Sequence, residues 1–164
     1  MANQFQNRAA PDFEQLYPDG NARASECAMN LALTADTLIN NISHLLQPFD
    51  LTPSSGLVLS MLADSGKPLP PHEIAKRLIV SRATITGLVD SLERRAYVNR
   101  RPHPTDRRML LVEITDKGRQ AADEFRPIVH RHHRAWFEPL DEKEKEQFID
   151  FLHRIQASLN GSED

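Results

Sequence analysis

Apolar residues recur every three or four positions along most of the chain, which predicts a mainly α-helical protein. Between Ala24 and Gln47 they form one narrow stripe, made of Ala28, Leu31, Ala35, Leu38, Ile42 and Leu45. Such a stripe packs against another helix, either within one subunit or across a subunit interface. Two further amphipathic helices are predicted, one from Thr115 and one after Asp141, and Pro127 is expected to bend or interrupt the first.

The middle of the chain predicts three short helices joined by short links. The first begins at Pro53 behind the capping residue Thr52, and the second covers residues 71–78. The third begins after Ser81, whose hydroxyl can accept a hydrogen bond from the free N–H groups of the first helical turn. Three helices in this arrangement are typical of a helix–turn–helix core.

The helix after Ser81 has an apolar face and a polar face. The apolar face is formed by Ile85, Leu88, Val89 and Leu92. The polar face carries Arg82, Thr84 and Thr86, and the helix closes with Arg94 and Arg95, where cations suit the negative end of the helix dipole. The polar side chains are of types that reach base edges and phosphates in DNA.

A short β-hairpin with a basic tip follows this helix. Its strands are predicted at residues 97–101 and 109–114, with Leu110, Val112 and Ile114 on one face. A helix of major-groove size followed by a cationic hairpin is typical of DNA recognition.

The hairpin and the start of the next helix resemble the signature D-x-R-x-x-x-V-x-L-T-x-x-G of MarR-family transcriptional regulators. The matching residues are Asp106, Arg108, Val112, Thr115 and Gly118, with Ile114 in place of the leucine. The preceding helices also resemble that family's winged helix–turn–helix. One departure is Ala96, which stands where a glycine usually follows the recognition helix, so this helix end is expected to be built differently.

The resemblance covers residues 24–160 and implies a mainly α fold with a small β-hairpin. It implies a winged helix–turn–helix DNA-binding lobe at residues 48–115 and a helical dimerisation region at 23–47 and 116–160. Residues 1–22 are polar and contain helix-breaking residues, which predicts a flexible tail. The expected partners are a second copy of the chain and a pseudo-palindromic double-stranded DNA with half-sites on the order of 10 bp apart.

The expected DNA contacts come from the recognition helix, the start of the first of the three central helices, and the wing. Arg82 is expected to contact guanine, because its guanidinium fork matches O6 and N7. By the family's pattern Arg108 enters the minor groove, Asp106 orients it, and Arg107 contacts phosphate. The other predicted contacts are Ser54, Ser55, Ser81, Thr84, Thr86, Arg94 and Arg95.

The charge distribution supports a local site for a polyanion. The net charge is −3, yet residues 72–108 hold nine positive and four negative side chains, and the parts on either side each have a net charge of −4. No apolar run is long enough to span a bilayer, no secretory signal is visible, and the lone Cys27 cannot form an internal disulfide. A cytoplasmic location is therefore expected.

No motif predicts an enzyme, a metal or a cofactor. The sequence has no glycine-rich phosphate loop, no H-E-x-x-H and no nucleophile elbow. A small dimer without an activation domain is expected to repress transcription by steric blocking. The alternative to a DNA-binding function is a winged helix that binds another protein.

Three modes of regulation are open, and the family resemblance favours a small effector, often aromatic and anionic. Oxidation of Cys27 is the second, since peroxide-sensing relatives place a reactive cysteine near this point, although an inert buried thiol is the preferred interpretation. The third mode is zinc binding at the histidines of the helix predicted from Thr115. However, relatives that sense zinc have glutamate and histidine where this chain has Gly56 and Leu57. Solvated or dimer-packed side chains are the preferred interpretation for these histidines, which are His130, His132 and His133.

Overall fold

The computed structural model describes residues 7–78, 80–105 and 109–161. The predicted wing-tip residues Asp106, Arg107 and Arg108 lie outside the described residues. The helices are α1 (Phe13–Leu16), α2 (Ala22–Leu46), α3 (Pro53–Ser65), α4 (Pro71–Leu78), α5 (Arg82–Arg94), α6 (Asp116–Trp136) and α7 (Glu142–Asn160). The strands are β1 (Val98–Pro102) and β2 (Leu110–Ile114), and a 3-10 turn follows α2 at Gln47–Phe49.

The chain forms two compact units, Met1–Ala122 and Asp123–Asp164. The mainly helical content with one antiparallel hairpin confirms the predicted fold class. The helix α6 is continuous from Asp116 to Trp136, with Pro127 inside it. Of the two effects expected of this proline, interruption of the helix therefore does not occur. No helix in the described ranges is long and apolar enough to cross a membrane.

The segment predicted as a flexible tail contains the one-turn helix α1 and contacts α2. The backbone N–H of Ala9 donates to Glu26 Oε1 at 3.0 Å, and Arg23 pairs with the same carboxylate at 2.6 Å. The hydrogen bond from Ala9 and the nearby arginines lower the pKa of Glu26.

Side-chain caps set the starts of α3 and α5 where the sequence predicts them. Thr52 accepts from the N–H of Ser55, whose hydroxyl in turn accepts from the N–H of Thr52, which forms a capping box ahead of Pro53. Ser81 accepts from the N–H of Thr84 at 3.1 Å. These local contacts confirm the predicted helix starts.

The core of the first unit lies between α3, α4, α5 and the hairpin. Its fully buried side chains are Leu46, Val58, Leu59, Leu62, Leu69, Ile74, Ile85, Val89, Leu92, Val98 and Val112. Burial of aliphatic side chains on one face of each short helix is what holds these helices together, because helices of this length are marginal in isolation.

The hairpin is built differently from the simple alternation predicted. Val98 pairs with Ile114 and Pro102 with Leu110, but Leu110 is 47% exposed while its neighbour Leu111 is buried. The link between α3 and α4 also reaches this strand, where Leu69 exchanges two backbone hydrogen bonds with Val112 at 2.8 and 3.0 Å. This pairing occupies the edge of β2 that β1 leaves open.

The C-terminal end of α5 uses a left-handed residue, although the expected glycine is absent. Ala96 has φ of 57°, the N–H of Tyr97 donates to the carbonyl of Leu92, and the N–H of Ala96 donates to that of Glu93. This is the pattern of a Schellman motif. The expectation of a different helix end is wrong: the usual ending is kept, with an alanine in a conformation that costs about 1–2 kcal/mol.

The close approach of α6 to Tyr97 requires Gly118. A Cβ on Gly118 would overlap the Tyr97 carbonyl oxygen and lie 2.9 Å from the carbonyl carbon. The Thr115 hydroxyl donates to the carbonyl oxygens of Ala96 and Tyr97, at 2.7 and 3.1 Å, and accepts from the N–H of Gly118 at 3.0 Å. The threonine and glycine that match the family signature therefore join the end of α5 to the start of α6.

The substitution Ala96→Gly is expected to raise the free energy of unfolding by about 1 kcal/mol, because it removes the left-handed strain. Urea denaturation measures the change. The control is Ala32→Gly at an exposed position within α2, which should lower stability by about 1 kcal/mol. Equal losses for both variants would contradict the role given to Ala96.

Gly118→Ala is expected to destabilise the fold by about 1–3 kcal/mol, since the backbone of Tyr97 must move to admit the methyl group. Gly87→Ala is the matched control, because a Cβ there meets nothing within 4 Å, and it should stabilise α5 by about 1 kcal/mol. Thermal unfolding monitored by circular dichroism compares the two variants. A Gly118→Ala protein as stable as the parent would refute the close approach.

Candidate nucleic-acid interface

The helix α5 is held by one face and leaves the other accessible. Ile85, Val89 and Leu92 are buried, whereas Arg82, Thr84 and Thr86 are exposed. All three polar residues that the sequence predicts for the recognition helix are therefore exposed: Arg82 and Thr86 lie one turn apart on the same side of α5, and Thr84 lies beside Ser81 at its start.

Hydroxyl groups at the start of α5 are held by local hydrogen bonds. Ser81 Oγ lies 2.8 Å from Thr84 Oγ1, and the Thr86 hydroxyl donates to the carbonyl of Arg82 at 2.9 Å. The side chains of Ser81, Thr84 and Thr86 are consequently fixed in place while they stay exposed. The positive end of the helix dipole at this point favours an anionic partner.

The two serines at the start of α3 differ in accessibility. Ser54 is exposed, whereas Ser55 is 4% exposed and its hydroxyl donates to the carbonyl of Thr52 at 3.0 Å. Ser54 is thus available to an external phosphate, and the Ser55 hydroxyl is engaged in the capping box.

The two arginines at the end of α5 also differ. Arg94 is exposed, but Arg95 donates from Nε to Asp50 at 2.7 Å and from its terminal nitrogen to Ser91 Oγ at 2.6 Å. The hydrogen bond from Arg95 lowers the pKa of Asp50, and the same bond raises the pKa of Arg95. Arg95 therefore ties α5 to the turn that follows α2.

Arg100 is a second basic residue that the fold engages. It lies on β1 and donates to Asp90 and Glu93 of α5, at 2.5 Å each. Partial burial opposes its charge, but the hydrogen bonds and charges of the two carboxylates outweigh that effect and raise the pKa of Arg100. In the sequence Arg100 is one of the nine positive charges of residues 72–108, and the signal there for its pairing is the acidic pair Asp90 and Glu93.

The two strands at the base of the wing are held together by backbone pairing, and an exposed ion pair lies beside it. The N–H of His103 donates to the carbonyl of Met109 at 3.0 Å, and Arg101 lies 3.6 Å from the carboxylate of Glu113 on the opposite strand. In the sequence, these strands flank Asp106, Arg107 and Arg108.

A groove of about 320 Å³ opens between the start of α4, the start of α5 and β2. Its lining includes Pro70, Pro71, Ile85, Thr86, Met109 and Leu110, and the cation Arg82. A largely apolar lining beside a guanidinium suits a small molecule that has an apolar body and an anionic group.

The residues of the redox and zinc alternatives lie elsewhere. Cys27 is exposed on α2, so the preferred interpretation of a buried thiol is wrong. The rings of His130 and His133 are 6.0 Å apart, and partial burial, together with the neighbouring histidines, lowers the pKa of His133. Among the described residues no group of three histidine, cysteine or acidic side chains is placed to hold a metal ion.

Gly56 has a packing role at the position where zinc-sensing relatives carry a ligand. A Cβ on Gly56 would lie 2.8 Å from Leu46 Cδ1. The residue therefore allows α2 to approach α3, and a larger side chain would require the side chain of Leu46 to shift.

The segment from α3 to β2 has the order of a winged helix–turn–helix, with α5 as recognition helix and the hairpin as wing. A family model described as MarR family matches residues 49–109. The repressor YetL of Bacillus subtilis is 31% identical over 138 residues, which cover 81% of this chain and 83% of YetL. The repressor MprA of Escherichia coli is 28% identical over 107 residues, which cover 65% of this chain and 60% of MprA.

Solved structures share the fold. The MepR–DNA complex of Staphylococcus aureus has a TM-score of 0.73 at 23% identity and covers 80% of this chain and 96% of MepR. CouR from Rhodococcus jostii RHA1, bound to p-coumaroyl-CoA, has a TM-score of 0.73 at 26% identity, covering 83% of this chain and 95% of CouR. The chain belongs to the MarR family and is a DNA-binding transcriptional regulator.

The ion pair between Asp50 and Arg95 yields a pH-dependent prediction for Asp50→Asn. Because the pKa of Asp50 is lowered in the folded state, its stabilising effect is present at neutral pH and is lost as pH falls through that lowered pKa. Asp50→Asn should therefore unfold at lower urea concentration than the parent at about pH 7, and the difference should shrink below about pH 4.

Asparagine tolerates the left-handed backbone of Asp50, whose φ is 54°, so the substitution changes charge and leaves the turn intact. The control is Asp123→Asn at an exposed position of α6, which should show no such trend. A stability difference that is constant across this pH range would contradict the ion pair.

Proposed function

We propose that the protein is a homodimeric, sequence-specific repressor that a small-molecule effector releases from DNA. The observation that supports this most directly is the exposed set of Arg82, Thr84 and Thr86 on a helix whose other face is buried. A rigidly held helix with such a face fits the major groove and reads base edges there. An operator as the partner implies a cytoplasmic location.

The proposed contacts divide into base and phosphate contacts. Arg82 reads guanine, and Thr84 and Thr86 contact bases or phosphates beside it. Ser54, Ser81 and Arg94 contact phosphates, since all three are exposed. For the wing, Arg108 in the minor groove, Asp106 orienting it and Arg107 on phosphate stay predictions from the family pattern.

Two predicted contacts are left out of this set. The Ser55 hydroxyl is engaged with Thr52, and the Arg95 guanidinium is engaged with Asp50 and Ser91. Moving either group to DNA would break hydrogen bonds that hold α3 or α5 in place. The free energy lost in this way is comparable to that of a new hydrogen bond to phosphate, so neither group favours DNA.

Exposed apolar side chains support the proposed dimer. On α2 the residues Met29, Leu33 and Ile39 are each at least half exposed, and on α7 the same holds for Ile149, Phe151 and Leu159. Large apolar side chains left exposed along two helices support burial at a protein interface. We assign residues 23–47 and 116–160 to dimerisation and residues 48–115 to DNA binding, with half-sites on the order of 10 bp apart.

The names of relatives support repression and effector control. YetL and MprA are both named as repressors, and CouR is bound to p-coumaroyl-CoA, which supports an effector with an aromatic group. The groove beside Arg82 is one place for such a molecule, because an anion bound there would occupy the guanidinium that DNA requires. Binding to the DNA-free state alone shifts the protein away from its operator.

Arg82→Ala tests the placement of the recognition helix. Duplexes are first selected from a random pool with the parent protein, and each base pair of the selected site is then varied. The substitution should cost about 1–3 kcal/mol, mainly at one base position, measured by fluorescence anisotropy.

The matched control is Arg119→Ala, which removes an exposed arginine from α6, outside the proposed contacts. It should leave the base preference unchanged. If Arg82→Ala and the parent bind every variant site equally, α5 does not read the DNA sequence through Arg82. A screen of small aromatic acids for release of the selected duplex then addresses the effector.

A further inference from the structure

Arg100 connects the wing to the recognition helix. Its side chain is 24% exposed, and its two terminal nitrogens donate separately to Asp90 Oδ1 and Glu93 Oε2, at 2.5 Å each. Its backbone N–H also donates to Glu93 Oε1 at 3.1 Å. One guanidinium thus spans two carboxylates of α5 from the first strand of the wing.

The two carboxylates continue the recognition face. Asp90 follows Arg82 and Thr86 at four-residue spacing, and Glu93 follows three residues later, so all four lie along one side of α5. Without a cation beside them, Asp90 and Glu93 would place two negative charges next to the face that meets DNA.

We propose that Arg100 is a positioning residue for DNA recognition, which fixes the angle and distance between the wing and α5 by bridging Asp90 and Glu93. The inference rests on the proposed function. It adds to the residues needed for DNA recognition one that does not itself contact DNA. A fixed spacing matters because the wing and the helix must reach neighbouring grooves of the same duplex at once.

The geometry separates Arg100 from the arginines that face DNA. Arg82 is exposed, whereas both terminal nitrogens of Arg100 are used by carboxylates of its own fold. A planar fork donates to two acceptors in fixed directions, which one ammonium group cannot reproduce. Lysine at this position would therefore keep the charge and lose the bridge.

Positioning and simple charge give opposite expectations for Asp90→Asn combined with Glu93→Gln. This double substitution removes two negative charges beside the recognition face, so electrostatics alone predicts tighter binding to any duplex. Loss of the bridge predicts weaker binding to the selected duplex, because the wing and α5 no longer hold one relative position.

The experiment measures binding of the full chain to two duplexes over a range of salt concentrations. One duplex is selected from a random pool by the parent protein, and the other is a shuffled sequence of the same composition. For Asp90→Asn with Glu93→Gln, and separately for Arg100→Lys, the ratio of the two affinities should fall roughly tenfold. The dependence of log affinity on log salt should be unchanged, since no phosphate contact is lost.

Glu113→Gln is the matched control. Glu113 is a wing carboxylate that faces Arg101 on the neighbouring strand and is not bonded to α5, so its loss should leave the affinity ratio unchanged. Asp90 and Glu93 are 49% and 38% exposed, and the amides keep their shape, so the variants should fold. Thermal unfolding checks each protein, and the two single substitutions replace the double one if it unfolds.

Three results would overturn the role given to Arg100. One is tighter or unchanged binding of the double variant to the selected duplex, and another is parental affinity for Arg100→Lys. The third concerns the slope of log affinity against log salt concentration. If the magnitude of this slope falls by about one for Arg100→Ala, Arg100 contacts a phosphate directly. Failure of the parent to enrich any duplex would instead reject the proposed function, so the two failures are distinguishable.

Discussion

The recognition helix must be fixed rigidly through one face only, and most of the observed contacts serve this constraint. Burial of Ile85, Val89 and Leu92 fixes the rotation of α5 about its axis. Its start is capped by Ser81, and its end is tied to the turn after α2 through Arg95 and Asp50. A helix of 13 residues is marginally stable alone, so these tertiary contacts decide whether it presents a defined surface.

The same constraint divides the basic residues of the central region into two groups. Arg95 and Arg100 form ion pairs that hold α5, and neither remains free to attract DNA. Arg82 and Arg94 stay exposed at the two ends of the helix. The net charge of a segment therefore indicates a polyanion site but does not identify which cations reach the polyanion, because that depends on carboxylates brought close by folding.

Features set by neighbours in sequence were predictable, and features set by distant residues were not. The starts of α3 and α5 follow from Thr52, Pro53 and Ser81, whose effects act within one helical turn. The pairing of Leu69 with Val112 joins the link between α3 and α4 to β2, and no pattern within the hairpin indicates it. The exposed face of α5 was predicted because helical periodicity alone separates its polar and apolar residues.

The junction between α5 and α6 shows why a short sequence signature can have a structural cause. The carbonyl of Tyr97 accepts from both the N–H and the hydroxyl of Thr115, and only a glycine at position 118 leaves room for that carbonyl. Lys117 donates to the carbonyl of Arg95 at 2.8 Å, beside the left-handed Ala96. The backbone that ends the recognition helix therefore also sets the start of α6, so neither helix can shift at this point without breaking hydrogen bonds of the other.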